Sequence, residues 1–421
     1  MSKPTAKRDV DPRDAAFGAR VAELRKAAKM TQQQLASALN GRSSGWMSQV
    51  ERGIQPVRRF DVLQEIADAL GVSTQVLDPN VPVHPHSAPD AVPASNDLDG
   101  ARTVISGHPA MGALLGSESL SLTPLPELGD QVQEVWSLAH QGRHSEISNL
   151  VVDLVPELEQ AVRTVPAEER QVAYRHLSLA YQALSAAFSR QGDASASWTA
   201  ADRGMSAAEM SGDVYLVGAS VFRMAHAFVR LGLREQAEHA VTDAIGALER
   251  YDSSHDDLPP EGYSVLGSLH LVKALVHARS SQRAEARQEI ALARQVAERL
   301  GEDRNDYDLE FGPTNVAIQA VSTAVELGDA GEAVDLGHAI DADSLSPERR
   351  GRLLMDLGRA HAQRRRTGDA VACLLRAEEI TPEVVQNHDA VRKAVRELML
   401  VEGSKASAEL KGLSDRTGAM E

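Results

Sequence analysis

Between residues 42 and 53 the chain reads RSSGWMSQVERG. Hydroxyls, an amide and an arginine on one face of a short helix are groups that bond phosphates and the edges of bases. If Ser43 opens that helix, its spacing turns Met47 and Val50 inward and leaves Ser44, Gly45, Trp46, Ser48, Gln49 and Arg52 outward. Other clusters fail as chemistry. His84 and His86 form a His-x-His pair, but the Pro-rich stretch around them supplies no further ligand. In 301-GEDRNDYDLEFGPTNVAIQ-319, a calcium loop begun at Asp303 puts Tyr307 at a ligand position and Asp308 where glycine is required. There is no Gly-Lys-Ser/Thr phosphate loop, nucleophile elbow or His-Glu-x-x-His. His338, His361 and His388 fall on helices, where surface or groove positions are the default. No catalytic residue, metal site or cofactor is therefore expected, and the chain does not read as an enzyme.

Charge supports a division of labour. The chain has 421 residues and a formal net charge of −16, yet residues 1–60 hold twelve Lys/Arg against five Asp/Glu. That +7 head leaves −23 to the other 361 residues. A basic head suits a polyanion and the acidic body repels one. A single cysteine, Cys373, excludes an intramolecular disulfide and fits a reducing cytoplasm. No apolar run approaches a membrane span, so no membrane partner is expected.

The elements that would position these groups are helices. At 43% hydrophobic but only 4% aromatic residues, the composition favours packed helices over sheet sandwiches. Residues 14–78 read as five: Asp14–Ala28, a second opened by Thr31, a third from Ser43 to Arg52 ended by Gly53, Phe60–Leu70, and a short one after Ser73.

The run 31-TQQQLASAL-39, then 43-SSGWMSQVERG-53, then the pair Arg58-Arg59 and a last apolar helix, resembles the Xre-like, phage-repressor helix–turn–helix family. Asn40-Gly41 makes the turn about one residue longer than that family's usual turn. The resemblance implies that Gln32 and Ser43 fix phosphates, with Gln33, Ser44 and Ser48 on the same face, and that Gln49 reads a base by bonding adenine N6 and N7 together. It implies that Trp46 packs on a thymine methyl or on sugars, that Gly45 admits close approach, and that Arg52, Arg58 and Arg59 hold the backbone or reach the minor groove. Glu51 reads as a structural partner for an arginine or a helix end.

Residues 79–109 carry recurrent prolines with Ser, Asn and Asp and read as a linker, while residues 100–126 fit neither texture clearly. From 127 to 402 amphipathic helices alternate with brief turns. Segments such as 228-FVRLGLREQAEHAV-241 and 324-AVELGDAGEAVDLG-337 share a helix end, a tight turn and a small residue opening the next helix. The small residues are Ala196, Ala237, Ala286, Ala333 and Ala370. The series resembles tetratricopeptide (TPR) repeats, with wider spacing. The expected fold is all-α: a five-helix helix–turn–helix domain followed by a TPR-like α-solenoid, with a frayed tail after Glu402.

The TPR register would gather Tyr181, Phe222, His226, Asn315, Arg352 and Arg359 on a concave surface, with Tyr307 and Phe311 from the 301–319 segment as a groove-lining or plugging loop. The resulting expectation is a bacterial transcription regulator that binds a double-stranded DNA operator as a homodimer, with half-sites about 34 Å apart. A peptide or small-molecule effector would occupy the groove. The alternative is a DNA-tethered adaptor whose solenoid binds a protein partner and no small effector.

Overall fold

The computed structural model describes residues 12–27, 29–39, 42–55, 57, 62, 66–67, 69–70, 98–107, 123–254, 257–342 and 345–420, which are helices and turns without a strand. They divide into two compact units, one within Met1–Ser95 and one within Asn96–Glu421.

In the first unit, α1 (Pro12–Ala27), α2 (Gln32–Ser37) and α3 (Ser44–Glu51) begin where local chemistry says they should. Thr31 and Gln34 form a capping box: the Gln34 amide donates to the Thr31 hydroxyl at 3.1 Å and the Thr31 amide donates to Gln34 Oε1 at 2.8 Å. Ser43 caps α3 by accepting from the Trp46 amide at 3.1 Å. Val21, Leu35, Leu39 and Met47 build the core with Val62, Ile66, Ala67 and Leu70 from the expected fourth helix. The rest of that helix, the fifth helix and the Asn40-Gly41 turn lie outside the described residues. Helix α1 crosses the end of α3 at Gly18, where a Cβ would stand 2.3 Å from the Val50 carbonyl oxygen. Only glycine permits that approach.

The second unit is a series of antiparallel helix pairs: α5 (Leu125–Gln141) with α6 (His144–Thr164), α7 (Arg170–Arg190) with α8 (Ala194–Ser211), and α9 (Val214–Arg230) with α10 (Arg234–Ser254). It continues with α11 (Pro260–Arg279) and α12 (Arg283–Leu300), α13 (Pro313–Glu326) and α14 (Ala330–His338), and α15 (Pro347–Gln363) and α16 (Thr367–Ile380). All five alanines of the repeat series are buried. The odd-numbered helices α5 to α15 pack side by side on the inside, and α15 returns to touch α5. Arg190 of α7 reaches Glu348 of α15 at 2.6 Å across that closure.

Two stretches differ from expectation. Residues 98–107, read as the end of the linker, hold α4 (Asp99–Ser106), whose Ala101 and Ile105 are buried with Leu98 in the core of the first pairs. The Ala101 amide donates to Ser148 Oγ of α6 at 3.2 Å. Two turns of helix give too few residues for a periodicity to stand out. The tail after Glu402 is not frayed: beyond α17 (Pro382–Asn387) and α18 (Asp389–Glu402) comes α19 (Ala408–Thr417), which buries Leu410 and Leu413. Residues 79–97, 108 and 109 of the expected linker lie outside the described residues.

The turns inside the pairs share one backbone feature. Gly142, Gly192, Gly232 and Gly328 take φ of +74°, +80°, +77° and +79°, and the matching positions after α11 and α15 are Ser281 at +60° and Arg365 at +57°. Both side chains are exposed. Replacing either by glycine relieves a left-handed conformation that L-residues resist. Ser281→Gly and Arg365→Gly are each expected to stabilise the unit by about 1 kcal/mol, read as a raised urea midpoint with unchanged slope.

Candidate functional site

In the first unit the candidate surface is the outer side of α3. Met47 and Val50 face the core with no exposed surface, and Ser44, Gly45, Gln49 and Arg52 are exposed. Ser48 is half-buried. So is Trp46, expected outward, whose ring lies along the rim of the core and is capped by the Arg42 guanidinium 4.3 Å from its centroid. A large ring beside Met47 gains burial by folding back, and Arg42 joins the surface through it. Arg58 and Arg59 lie outside the described residues.

A charged network behind this surface locks the three helices together. Arg25 of α1 grips Glu51 through Nε–Oε1 at 2.5 Å and Nη2–Oε2 at 3.0 Å, and its Nη1 donates to the Met30 carbonyl at 2.7 Å. Gln32 Nε2 donates to Glu51 Oε2 at 2.7 Å. Gln32, expected on a phosphate, thus turns its amide toward α3, while Gln33 beside it is exposed. Burial works to raise the Glu51 pKa, but the hydrogen bonds from Arg25 and Gln32 win and hold it below the carboxylate range.

In the second unit the inner helices enclose a cavity of about 230 Å³. Of the residues expected to line it, Phe222, His226, Asn315, Arg352 and Arg359 do, with the Phe222 and His226 rings edge-to-face at 4.6 Å. Three do not. Tyr181 is buried in the α6–α8 core, its hydroxyl donating to Glu159 at 2.9 Å. The inner face of α7 begins one turn later, at Ser185, Ala186, Ser189 and Arg190. Tyr307 hydrogen-bonds Asp213 at 3.1 Å beneath the Arg175 guanidinium. Phe311 is fully buried against α11 at Gly267. The 301–319 segment therefore supplies Asp308, Leu309, Glu310, Asn315 and Gln319 to the cavity wall rather than its aromatics.

Sequence reasoning missed most of the cavity's charge. Arg190, Arg223, Arg230 and Arg279 join Arg352 and Arg359, opposite Asp308, Glu310, Glu326, Glu348 and Asp356. Arg223 and Arg230 interrupt the otherwise apolar face of VYLVGASVFRMAHAFVR at a spacing of two helical turns, and that interruption was the available signal. Glu348 meets Arg190 at 2.6 Å and Arg352 at 3.2 Å, and Glu326 meets Arg359 at 2.7 Å and Arg279 at 3.4 Å. Asp356 meets Arg359 at 2.8 Å. Burial raises the pKa of Asp308 and Asp356, pushing both toward the neutral acid. Burial, with Arg190 nearby, lowers Arg223 to about 10. Burial beside Arg230 and Arg359 drives His388 down to about 3, and His226 is also held well below its ordinary value. At neutral pH both imidazoles are therefore uncharged hydrogen-bonding groups.

Among the described residues no group of three His, Cys, Asp or Glu is placed to hold a metal, and no helix is long and apolar enough to cross a membrane. His84 and His86 lie outside those residues.

Residues 16–79 match the family model described as a helix-turn-helix domain. No curated protein matches the sequence. Among solved structures, the chain is similar to Bacillus thuringiensis PlcR in complex with the peptide PapR7 and DNA, at 15% identity and a TM-score of 0.37 over 84% of this chain and 99% of that one. A Rap protein complexed with competence and sporulation factor aligns at 12% identity and a TM-score of 0.43, over 69% of this chain and 86% of the other. A mutant of PrgX aligns at 9% identity and a TM-score of 0.26, over 95% of this chain and 99% of the other. With its capped α2 and α3 and the outward polar face of α3, the chain carries a helix-turn-helix domain in residues 16–79, joined in sequence to a helical solenoid.

Proposed function

We propose that the protein is a sequence-specific DNA-binding transcription regulator whose solenoid takes a peptide or small-molecule effector in its central cavity. The observation that carries the DNA half is the surface of α3: Gln49 and Arg52 exposed beside Ser44 and Gly45, on a helix fixed from behind by Arg25 and Glu51. Gln49 is the base reader in this proposal, and Gln33, Ser43, Ser48 and Arg42 support it on phosphates. The effector half rests on a charged cavity enclosed by helices from six pairs, a large desolvation cost that an empty structural core does not require. The protein acts as a homodimer that presents two α3 helices to half-sites about 34 Å apart. An effector shifts DNA affinity by its differential affinity for the shapes that do and do not match that spacing.

The test is selection of bound fragments from sheared genomic DNA at physiological salt, with wild type and Gln49→Ala in parallel. Wild type should enrich a two-fold repeat. The variant, whose exposed side chain leaves the fold intact, should lose preference at one base per half-site by about tenfold or more, since a bidentate base contact contributes ~1–3 kcal/mol of discrimination. Equal preference in both would remove Gln49 from the reading role. Enrichment of nothing by wild type, with or without cell extract, would remove DNA binding altogether. A monomer by light scattering, with and without the selected fragment, would end the dimer.

A further inference from the structure

Resting on the reading of the cavity as an effector site, we infer that the effector is a small dianion, two carboxylate-like groups joined by an apolar body, rather than a peptide of five or more residues. Charge matching comes first. Each cavity carboxylate that forms ion pairs already meets arginine: Glu348 is shared by Arg190 and Arg352, and Glu326 by Arg279 and Arg359. Two guanidiniums, Arg223 and Arg230, have no carboxylate within ion-pair distance among the described residues. Arg223 lies over the Trp136 and Phe222 rings at 4.9 and 5.1 Å; among the described residues it donates only through Nη2, to the Asp308 carbonyl at 2.7 Å, and its buried Nε has no hydrogen-bond partner. Arg230 donates only through Nε, to Ser189 Oγ at 2.7 Å. The Asp308 carboxylate takes a hydrogen bond from Asn305 Nδ2 at 3.2 Å.

The two arginines stand seven residues apart on the inner face of α9, an axial separation of about 10 Å. Apolar side chains share the cavity wall with the charged ones: Phe222, Val229, Leu271, Leu275 and Met355. Uncharged His226 lies on the same face between the two. Arg223 is half-buried and Arg230 exposed, so one anionic group seats deeper and the other toward the open side. Size supplies the second, independent limit. An apolar cavity of about 150 Å³ holds benzene, so this cavity of about 230 Å³ seats on the order of ten non-hydrogen atoms, and anything larger must extend through its open side. A pentapeptide has several times that number.

The probes are the straight-chain α,ω-dicarboxylates from four to ten carbons, the matching diols, and the monocarboxylates, each titrated into the full-length protein and followed by thermal shift and calorimetry. One dicarboxylate length should raise Tm in proportion to the logarithm of its concentration. The monocarboxylate of that length should bind at least tenfold more weakly, and the diol should not bind measurably. Arg230→Gln, on an accessible side chain, should weaken the dicarboxylate at least tenfold and bring it level with the monocarboxylate. Arg223→Gln should do the same, and its circular dichroism reports whether it folds; the Arg230 variant carries the test if it does not. No dicarboxylate binding, or equal binding by the diol, or an unaffected Arg230→Gln, overturns the dianion. If a random heptapeptide pool raises Tm while the dicarboxylates do not, the effector site stands and the dianion falls. If neither class shifts Tm, the effector reading falls with it.

Discussion

Gly267→Ala will destabilise the solenoid by about 3 kcal/mol, although alanine is the better helix former. Gly267 sits in the middle of α11, where propensity alone predicts a gain of about 1 kcal/mol. The Phe311 ring occupies the space a Cβ would need: the added carbon would lie 1.9 Å from Phe311 Cζ and 2.3 Å from Cε2. The ring is fully buried and has no room to yield without leaving, so the substitution forfeits most of a buried phenylalanine, about 3–5 kcal/mol. The sign of the change in the urea midpoint therefore decides between propensity and packing.

The same substitution reaches the cavity. Phe311 anchors residues 302–312, where Tyr307, Asp308 and Glu310 hold φ of +51°, +56° and +51°. Such conformations persist only where surroundings over-determine them. Here Arg304 pairs with Asp306 at 2.8 Å, Ser264 donates to Asp306 at 2.6 Å, and Arg349 donates to the Glu310 carbonyl at 2.6 Å. With Phe311 expelled, polar contacts such as these, with Arg223 on the Asp308 carbonyl and Tyr307 on Asp213, must hold the strained segment without its apolar anchor, and Asp308, Leu309 and Glu310 are expected to leave the cavity wall. Helical content should be retained by far-ultraviolet circular dichroism, while proteolysis cuts within 302–312. Full protection of that segment in the variant would show that Phe311 is not its anchor.

What could be read from the chain divides along the line between local and tertiary causes. Thr31, Ser43 and Gly53 mark helix ends through bonds made within a few residues, so their roles were legible. The alanine series was legible because every helix pair needs a small side chain at its closest approach, whatever the neighbours are. The concave face was harder. Helix α11 is buried on nearly all sides, so its sequence carries no amphipathic stripe to say which residues look inward. On α7 the same loss of contrast made Tyr181 look like groove when it is core, one turn before the true inner face. Phe311 was misplaced for a related reason, since an aromatic in a polar loop reads as exposed until its glycine partner on α11 is known. Arg223 and Arg230 contradicted their apolar surroundings in plain view, and a cation set in an apolar helix face marked this cavity better than the aromatics did.

Arg25→Ala is expected to cost the helix-turn-helix unit about 3–5 kcal/mol, because it leaves the Glu51 carboxylate buried with Gln32 as its only donor among the described residues. The pair is well shielded, with side-chain exposures of 11% for Arg25 and 8% for Glu51. A helical unit this small has a total stability of about 5 kcal/mol, so the loss removes most of it and DNA binding with it. In the full chain, amide exchange in α2 and α3 should quicken by about a hundredfold or more, which is what 3 kcal/mol implies, while exchange in α7 to α16 stays unchanged. Arg25→Met with Glu51→Leu should recover much of the stability, since two apolar groups avoid the desolvation that the lone carboxylate suffers. Acid should imitate the single variant. Because the folded-state pKa of Glu51 is depressed, the pair's contribution is fully present above the ordinary carboxylate pKa and declines as pH falls below it toward the lower folded value. The wild-type unit should thus weaken through that acid range, and the Met/Leu variant should not share this component. If Arg25→Ala left exchange in α3 unaltered at neutral pH, the network would have no part in holding the reading helix, and the rigidity of α3 would have to come from the Met47 and Val50 packing alone.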